Sequence, residues 1–205
     1  MPGPKIPEDQ RRAALLRAAY RVAARDRLGG LTTRAVAQEA GVSNGLVFFH
    51  FASREGLLLA LLDFLLETTV LSPNTALNGD RHPRFILLER IERDIRSLRM
   101  SRDRVALLVD FWVMGTQHAE VQQRIRAALA RYRASYVPVT SAVVASTPER
   151  YDGITPEALA AVATGFVEGC AMQVVMDPER FDVESYMATL HALVLHPAVA
   201  AVAAT

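Results

Sequence analysis

The chain is predicted to be all-α. Three observations lead there. Along most of its 205 residues, apolar side chains recur at three- and four-residue spacing, the period of one helix face. No stretch alternates apolar and polar residues as a half-buried strand does. Helix starts are also written residue by residue. The clearest is Thr155-Pro156-Glu157, a hydroxyl to cap, a proline preset for the first turn and an acid near the positive end of the helix.

Taken in order, helix one is expected from about Pro7 to Arg27, with Ala14, Leu15, Ala18, Val22 and Ala23 on one face. Leu28-Gly29-Gly30 is expected to end it. Helices two and three lie within Thr32 to Phe51. Helix four starts at Ser53 and runs to about Leu71. Residues 72–82, SPNTALNGDRH, read as the clearest loop. Helix five spans about Pro83 to Arg99, and the next covers about Asp103 to Gln117. A long helix follows over Ala119 to Ala145. Thr147 to Thr155 is a loop, and a helix then runs from Pro156 to Met176. Asp177-Pro178 breaks it, and the last helix covers Val183 to Leu195, stopped by Pro197.

The stretch TTRAVAQEAGVSNGLVFFHF, Thr32 to Phe51, carries the most information. Thr32 is a cap before a helical run. Val36, Ala37 and Ala40 form a narrow apolar stripe, and Ala37 is small enough for two helices to cross closely. Gly41 follows the last apolar position, where a left-handed residue without a Cβ is cheapest. Val42 plugs the turn, Ser43 caps a second helix, and Val47 faces back toward Val36 and Ala40. This is the pattern of a helix-turn-helix, whose second helix enters the major groove of DNA. The residues near the start of that helix are best placed to reach base edges: Asn44, Leu46 and Phe49. Asn44 suits adenine, and Leu46 a thymine methyl. Gly45 allows close backbone approach. Thr33, Ser43, His50 and Arg54 are candidates for phosphate contact. Arg34 and the arm residues Lys5, Arg11 and Arg12 are further candidates for backbone or minor-groove contact. Phe51 is expected to pack on helix one, and Phe48 is left between that core and the DNA-facing surface.

With Ala40 to Ser43 (AGVS), Gly45, Phe48-Phe49, His50-Phe51 and Ser53 to Glu55 (SRE) in place, the first quarter of the chain resembles the TetR family of ligand-responsive transcriptional regulators. Two positions depart from that pattern. Phe48 stands where Tyr is common and cannot donate to a phosphate. Arg54 stands where Lys is common and keeps the charge. The resemblance implies an N-terminal DNA-binding domain over 1–52 and a helical ligand-binding and dimerisation domain over 53–205, joined by the helix from about 53 to 71. It also implies a homodimer on an inverted-repeat operator in double-stranded DNA, most simply as a repressor. The four-helix interface would come from Ala119–Ala145 and Pro156–Met176. In the second of these, Ala161, Gly165 and Gly169 fall four residues apart, the arrangement of a closely packed face between subunits or within one.

A ligand cavity among the middle helices is implied as well. Phe85, Leu88, Phe111, Trp112, Met114, Tyr132 and Phe166 are its candidate walls, with His118 and Gln173 as polar contacts. Each of these apolar residues is equally compatible with plain core. Such walls suit a small, largely apolar effector, aromatic or acyl. Binding would shift helices five to seven, and helix four would carry the heads off register.

Composition fits this division. The chain carries nine basic and five acidic residues through Gly56, and the remainder has a net charge of −3. A basic head on a mildly acidic body orients the head toward phosphate. Arg21 and Arg25 are expected only to solvate their helix face. The single cysteine, Cys170, excludes an internal disulfide and is expected to be buried. The polar, Pro-rich start lacks the apolar core of a signal peptide. Asp63 and Glu168 interrupt the two longest apolar runs, so neither is expected to span a membrane. A cytoplasmic protein is expected. Enzyme chemistry finds no motif: the five histidines are dispersed, no cluster has metal-ligand spacing, and no cofactor is expected. The contrasting possibility is a helical carrier of apolar ligands, or an enzyme, without specific DNA binding.

Overall fold

The computed structural model describes residues 7–69 and 81–195. Lys5, Leu71, the expected loop except Arg81 and His82, His196, Pro197 and the Ala198–Thr205 tail lie outside the described residues. Within them are nine α-helices, one 3-10 turn over Pro148–Tyr151 and no strand. The helices are α1 (Glu8–Gly30), α2 (Thr33–Ala40), α3 (Asn44–Phe51), α4 (Arg54–Thr69), α5 (Pro83–Met100), α6 (Arg102–Gly115), α7 (Ala119–Ser146), α8 (Pro156–Met176) and α9 (Val183–Leu195).

The regular part of α1 breaks at Arg27, where the sequence expectation ends it, with φ 59° and ψ −179°, a backbone region that L-residues seldom enter. One further turn, through Leu28, Gly29 and Gly30, is helical.

The chain forms two compact units. The first holds α1 to α4, α6 and the start of α7, as far as Ala127. The second holds α5, the rest of α7, α8 and α9. In the first, α1 packs on α2 and α4, α2 on α3, and α3 on α4. Ala18, Ala19, Val22 and Ala23 of α1 are fully buried, as are Val36, Val47 and, on α4, Leu57, Leu61, Leu62 and Leu65. The alanines allow α1 to sit close to its neighbours. Each fully buried leucine contributes about 1.5–3 kcal/mol. The partly exposed ion pair of Arg27 with Asp110 contributes about 0–1 kcal/mol, so apolar burial rather than surface charge holds this unit.

In the second unit α5 packs on α8 and α9, and Leu87, Leu88, Ile91 and Ile95 on α5 and Ala160, Ala163, Val167 and Cys170 on α8 are buried. Burial pushes the Cys170 thiol up to about 11. Thr155 caps α8 as expected, its hydroxyl accepting from the Ala158 amide at 3.1 Å. Only a third of the most apolar window of α8 is buried, and by length and hydropathy alone the helix is able to cross a membrane. Glu168 does not remove it from that class, contrary to the sequence expectation. Ala161, Val162, Gly165 and Gly169 are all exposed on it.

Candidate nucleic-acid interface

The head is built by its caps. Thr32 accepts from the Ala35 amide at 3.1 Å and opens α2. Gly41 closes it at φ 66°, while the Val42 amide reaches back to the Ala37 carbonyl at 3.0 Å. Ser43 then opens α3, its hydroxyl accepting from the Leu46 amide at 3.3 Å. Ser43 is thus a cap in fact, as well as a candidate for phosphate contact. Val47 and Phe51 are buried and fix the inward face of α3. Gly45 and Phe49 lie opposite them and are exposed, as are Phe48 and, at the start of the helix, Asn44, while Leu46 and His50 are half-buried. Phe48, left open by the sequence, is surface: it is 58% exposed.

Around α3, Thr33 is half-buried and Arg34 exposed. Arg12 lies over the Phe51 ring, 5.5 Å from its centroid. Arg21 and Arg25 do more than solvate a helix face. Both grip Glu39 of α2, at 2.6 and 3.3 Å, and Arg25 also meets Asp26 at 2.9 Å. Hydrogen bonds first from Arg21 and then from Arg25 hold the Glu39 carboxyl below its usual range.

Arg54 has a role that the sequence did not reveal. Its Nε donates to the Leu31 carbonyl and one Nη to the Leu28 carbonyl, both at 2.9 Å. It caps the end of α1 from the first turn of α4, so two of its donors are already engaged. Arg27 is occupied in a similar way, by the Ala106 carbonyl at 3.0 Å and the Asp110 carboxylate at 2.7 Å on α6. Arg104 of α6 sits over the rings of Tyr20 and Phe64. α6 is therefore tied to both α1 and α4.

Residues 15–61, which include all of α2 and α3, match the family described as bacterial regulatory proteins, tetR family. Residues 87–196, more than half of the chain, match the family described as BetI-type transcriptional repressor, C-terminal. The chain belongs to the TetR family. Its α8 is accordingly a helix of the TetR regulatory body.

Solved structures agree in fold. A TetR transcription regulator from Haloarcula marismortui is 19% identical with a TM-score of 0.74, covering 88% of this chain and 94% of that one. A transcriptional regulator from Saccharomonospora viridis, in complex with choline, is 19% identical with a TM-score of 0.67, covering 92% and 97%. The multidrug binding protein EbrR, complexed with imidazole, is 26% identical with a TM-score of 0.60, covering 93% of each. No curated protein matches.

The candidate effector residues of this TetR protein divide between the two units. Phe111, Trp112, Met114 and His118 belong to the first, and Phe85, Leu88, Tyr132, Phe166 and Gln173 to the second. Phe111 and Leu88 are buried core, Phe85 is 44% exposed, and His118 and Gln173 are exposed. Phe166 lines a surface groove of about 250 Å³ with Phe181, Tyr186 and Leu193. Tyr132 is more than an apolar wall. Its hydroxyl donates to Asp94 at 2.8 Å and that of Tyr136 at 2.6 Å, both to one carboxylate oxygen. Arg90 lies 4.1 Å above the Tyr136 ring and donates to the Ser135 carbonyl and hydroxyl. Burial first, with the negative charge of Asp94 adding to it, raises both tyrosine hydroxyls above their ordinary range. The sequence carried a signal for this cluster. Arg90 and Asp94 follow Leu87 at three and seven residues and so fall on the apolar stripe of α5. Among the described residues no group of three or more His, Cys, Asp or Glu is placed to hold a metal.

Proposed function

We propose that the chain is a repressor that binds an inverted-repeat operator as a homodimer and leaves it when a small organic ligand binds. The observation that carries this is the outward face of α3. Gly45, Leu46 and Phe49 stand there, with Asn44 exposed at the start of the helix, while Val47 and Phe51 anchor it from the inside. One such helix reads too few base pairs to locate a site in a genome. A dimer with its recognition helices ~34–36 Å apart reads two half-sites. The exposed line of Ala161, Gly165 and Gly169 on α8 supports a close-packed partner helix there. In this reading residues 1–52 read DNA and 53–205 bind ligand and partner, with Arg34, Thr33, His50, Ser43 and the remaining donors of Arg54 on phosphates.

The effector in this reading is small and largely apolar. The choline and imidazole held by structural relatives support a body that takes small organic molecules. Release requires only that the ligand bind the conformer unfit for DNA more tightly. The test is selection of genomic DNA fragments by the purified protein at two salt concentrations. The expected result is one inverted repeat that survives the higher salt. Random fragments, lost as salt rises, would mean that the head responds only to phosphate charge.

A further inference from the structure

The recognition helix carries no Lys, Arg, Asp or Glu along its length, NGLVFFHF. Its polar side chains are Asn44 and His50. Its large exposed side chains are two phenylalanines, Phe49 at 72% and Phe48 at 58% exposure. Exposed aromatic rings at the centre of a DNA-reading surface bind neither phosphate nor the polar base edges. They do suit one group of the major groove, the C5-methyl of thymine.

Helical geometry puts Phe49 at the centre of that surface. At 3.6 residues per turn it lies ~160° round the helix axis from both Val47 and Phe51, the two residues that anchor α3. One turn before it stands Gly45, where an added Cβ would meet only the Ser43 hydroxyl, at 3.9 Å. Nothing on the helix therefore crowds the ring from that side. On the other side the His50 imidazole meets the Phe49 ring edge-on, centroids 5.3 Å apart at 82°, and limits how the ring turns.

We propose that Phe49, flanked by Leu46 and Phe48, reads the operator through van der Waals contact with thymine methyl groups, so that each half-site holds thymine where α3 meets the groove. This rests on the DNA-binding function proposed above and gives its specificity a chemistry. Asn44 supplies the polar base contact, and the rings supply the discrimination between thymine and cytosine.

The test uses the unmodified protein and the operator recovered by selection. Each thymine of a half-site is replaced in turn by deoxyuridine, which keeps every hydrogen-bonding group and loses only the methyl. Fluorescence anisotropy is read at two salt concentrations. The expected result is a loss of roughly fourfold in affinity per contacted methyl, with a ratio that does not change with salt, since no counterion is exchanged. Phe49→Ala, a surface substitution checked for helix content by circular dichroism, should bind the thymine and deoxyuridine operators alike. Equal affinity of the native protein for both operators would overturn the methyl readout and leave the repressor function standing. Failure to select any sequence would remove both.

Discussion

Arg27 and Asp110 meet at 2.7 Å, and Arg27 makes that contact from a backbone held at φ 59°. The end of the first helix of the head is thereby fastened to α6, and Arg54 fastens the same end to α4. α6 is thus joined to the head by direct side-chain contact, as is α4, the helix that the sequence singled out as the link. Asp110→Asn should reduce stability by no more than about 1 kcal/mol, because both side chains are partly solvated. Urea unfolding at low and high salt checks this: the difference from the native protein should shrink at high salt as the charges are screened.

A larger effect is expected in the buried cluster of the second unit. Tyr136→Phe keeps the ring, and with it the surface beneath Arg90, but leaves the Asp94 oxygen with one hydroxyl donor in place of two. Loss of a hydrogen bond to a buried carboxylate costs about 1–3 kcal/mol. The midpoint of urea unfolding should fall accordingly, with an unchanged slope.

Gly165 and Gly169 provide a test of what α8 faces. A Cβ built on either meets nothing within 4 Å in the single chain. In a free helix, alanine is favoured over glycine by about 1 kcal/mol per site. Gly165→Ala with Gly169→Ala should therefore stabilise an isolated chain and weaken a dimer packed across that line. Sedimentation and thermal unfolding over a range of protein concentration separate the two effects. A dimer that is unaffected, in a chain that is more stable, would place the subunit interface elsewhere.

Glu168 sets a pH dependence. Burial raises its carboxyl above the ordinary value of 4.5, against a smaller opposing effect from the charge of Arg133. The folded chain therefore holds this proton more tightly than the unfolded chain does. Between 4.5 and the raised folded value, stability contributed by this group falls as pH rises. Above that window the charged carboxylate is a constant burden. Glu168→Gln should raise the melting temperature at neutral pH and bring less benefit, or none, below pH 4.5. Equal effects at both pH values would show that burial of charge is not the cause.

What was legible in the sequence follows a physical rule. Thr32, Gly41, Ser43 and Thr155 act within a few residues of themselves, and each performs the local task its chemistry suggested. Val47 and Phe51 were legible because helical period fixes a face. Arg54 and Arg27 were not, because their partners lie far along the chain. A charge that caps a distant helix looks, residue by residue, like any other charge. The place of Asp94 on the apolar stripe of α5 marked it for burial, but its two tyrosine partners lie far along the chain. Arg21 and Arg25 went astray for the same reason: Glu39 comes within reach only once α1 and α2 have packed.

The uncharged recognition helix has a thermal consequence. Ring-to-methyl contact removes apolar surface from water, and such burial lowers the heat capacity of the complex. Hydrophobic contact also weakens on cooling. A regulator that tells sites apart in this way discriminates operator from bulk DNA more sharply at the warm end of its working range than at the cold end. Its grip on random DNA rests on phosphate charge and follows salt instead. Temperature would then tune selectivity through the uncharged α3, while ionic strength tunes occupancy through the charged residues that flank it.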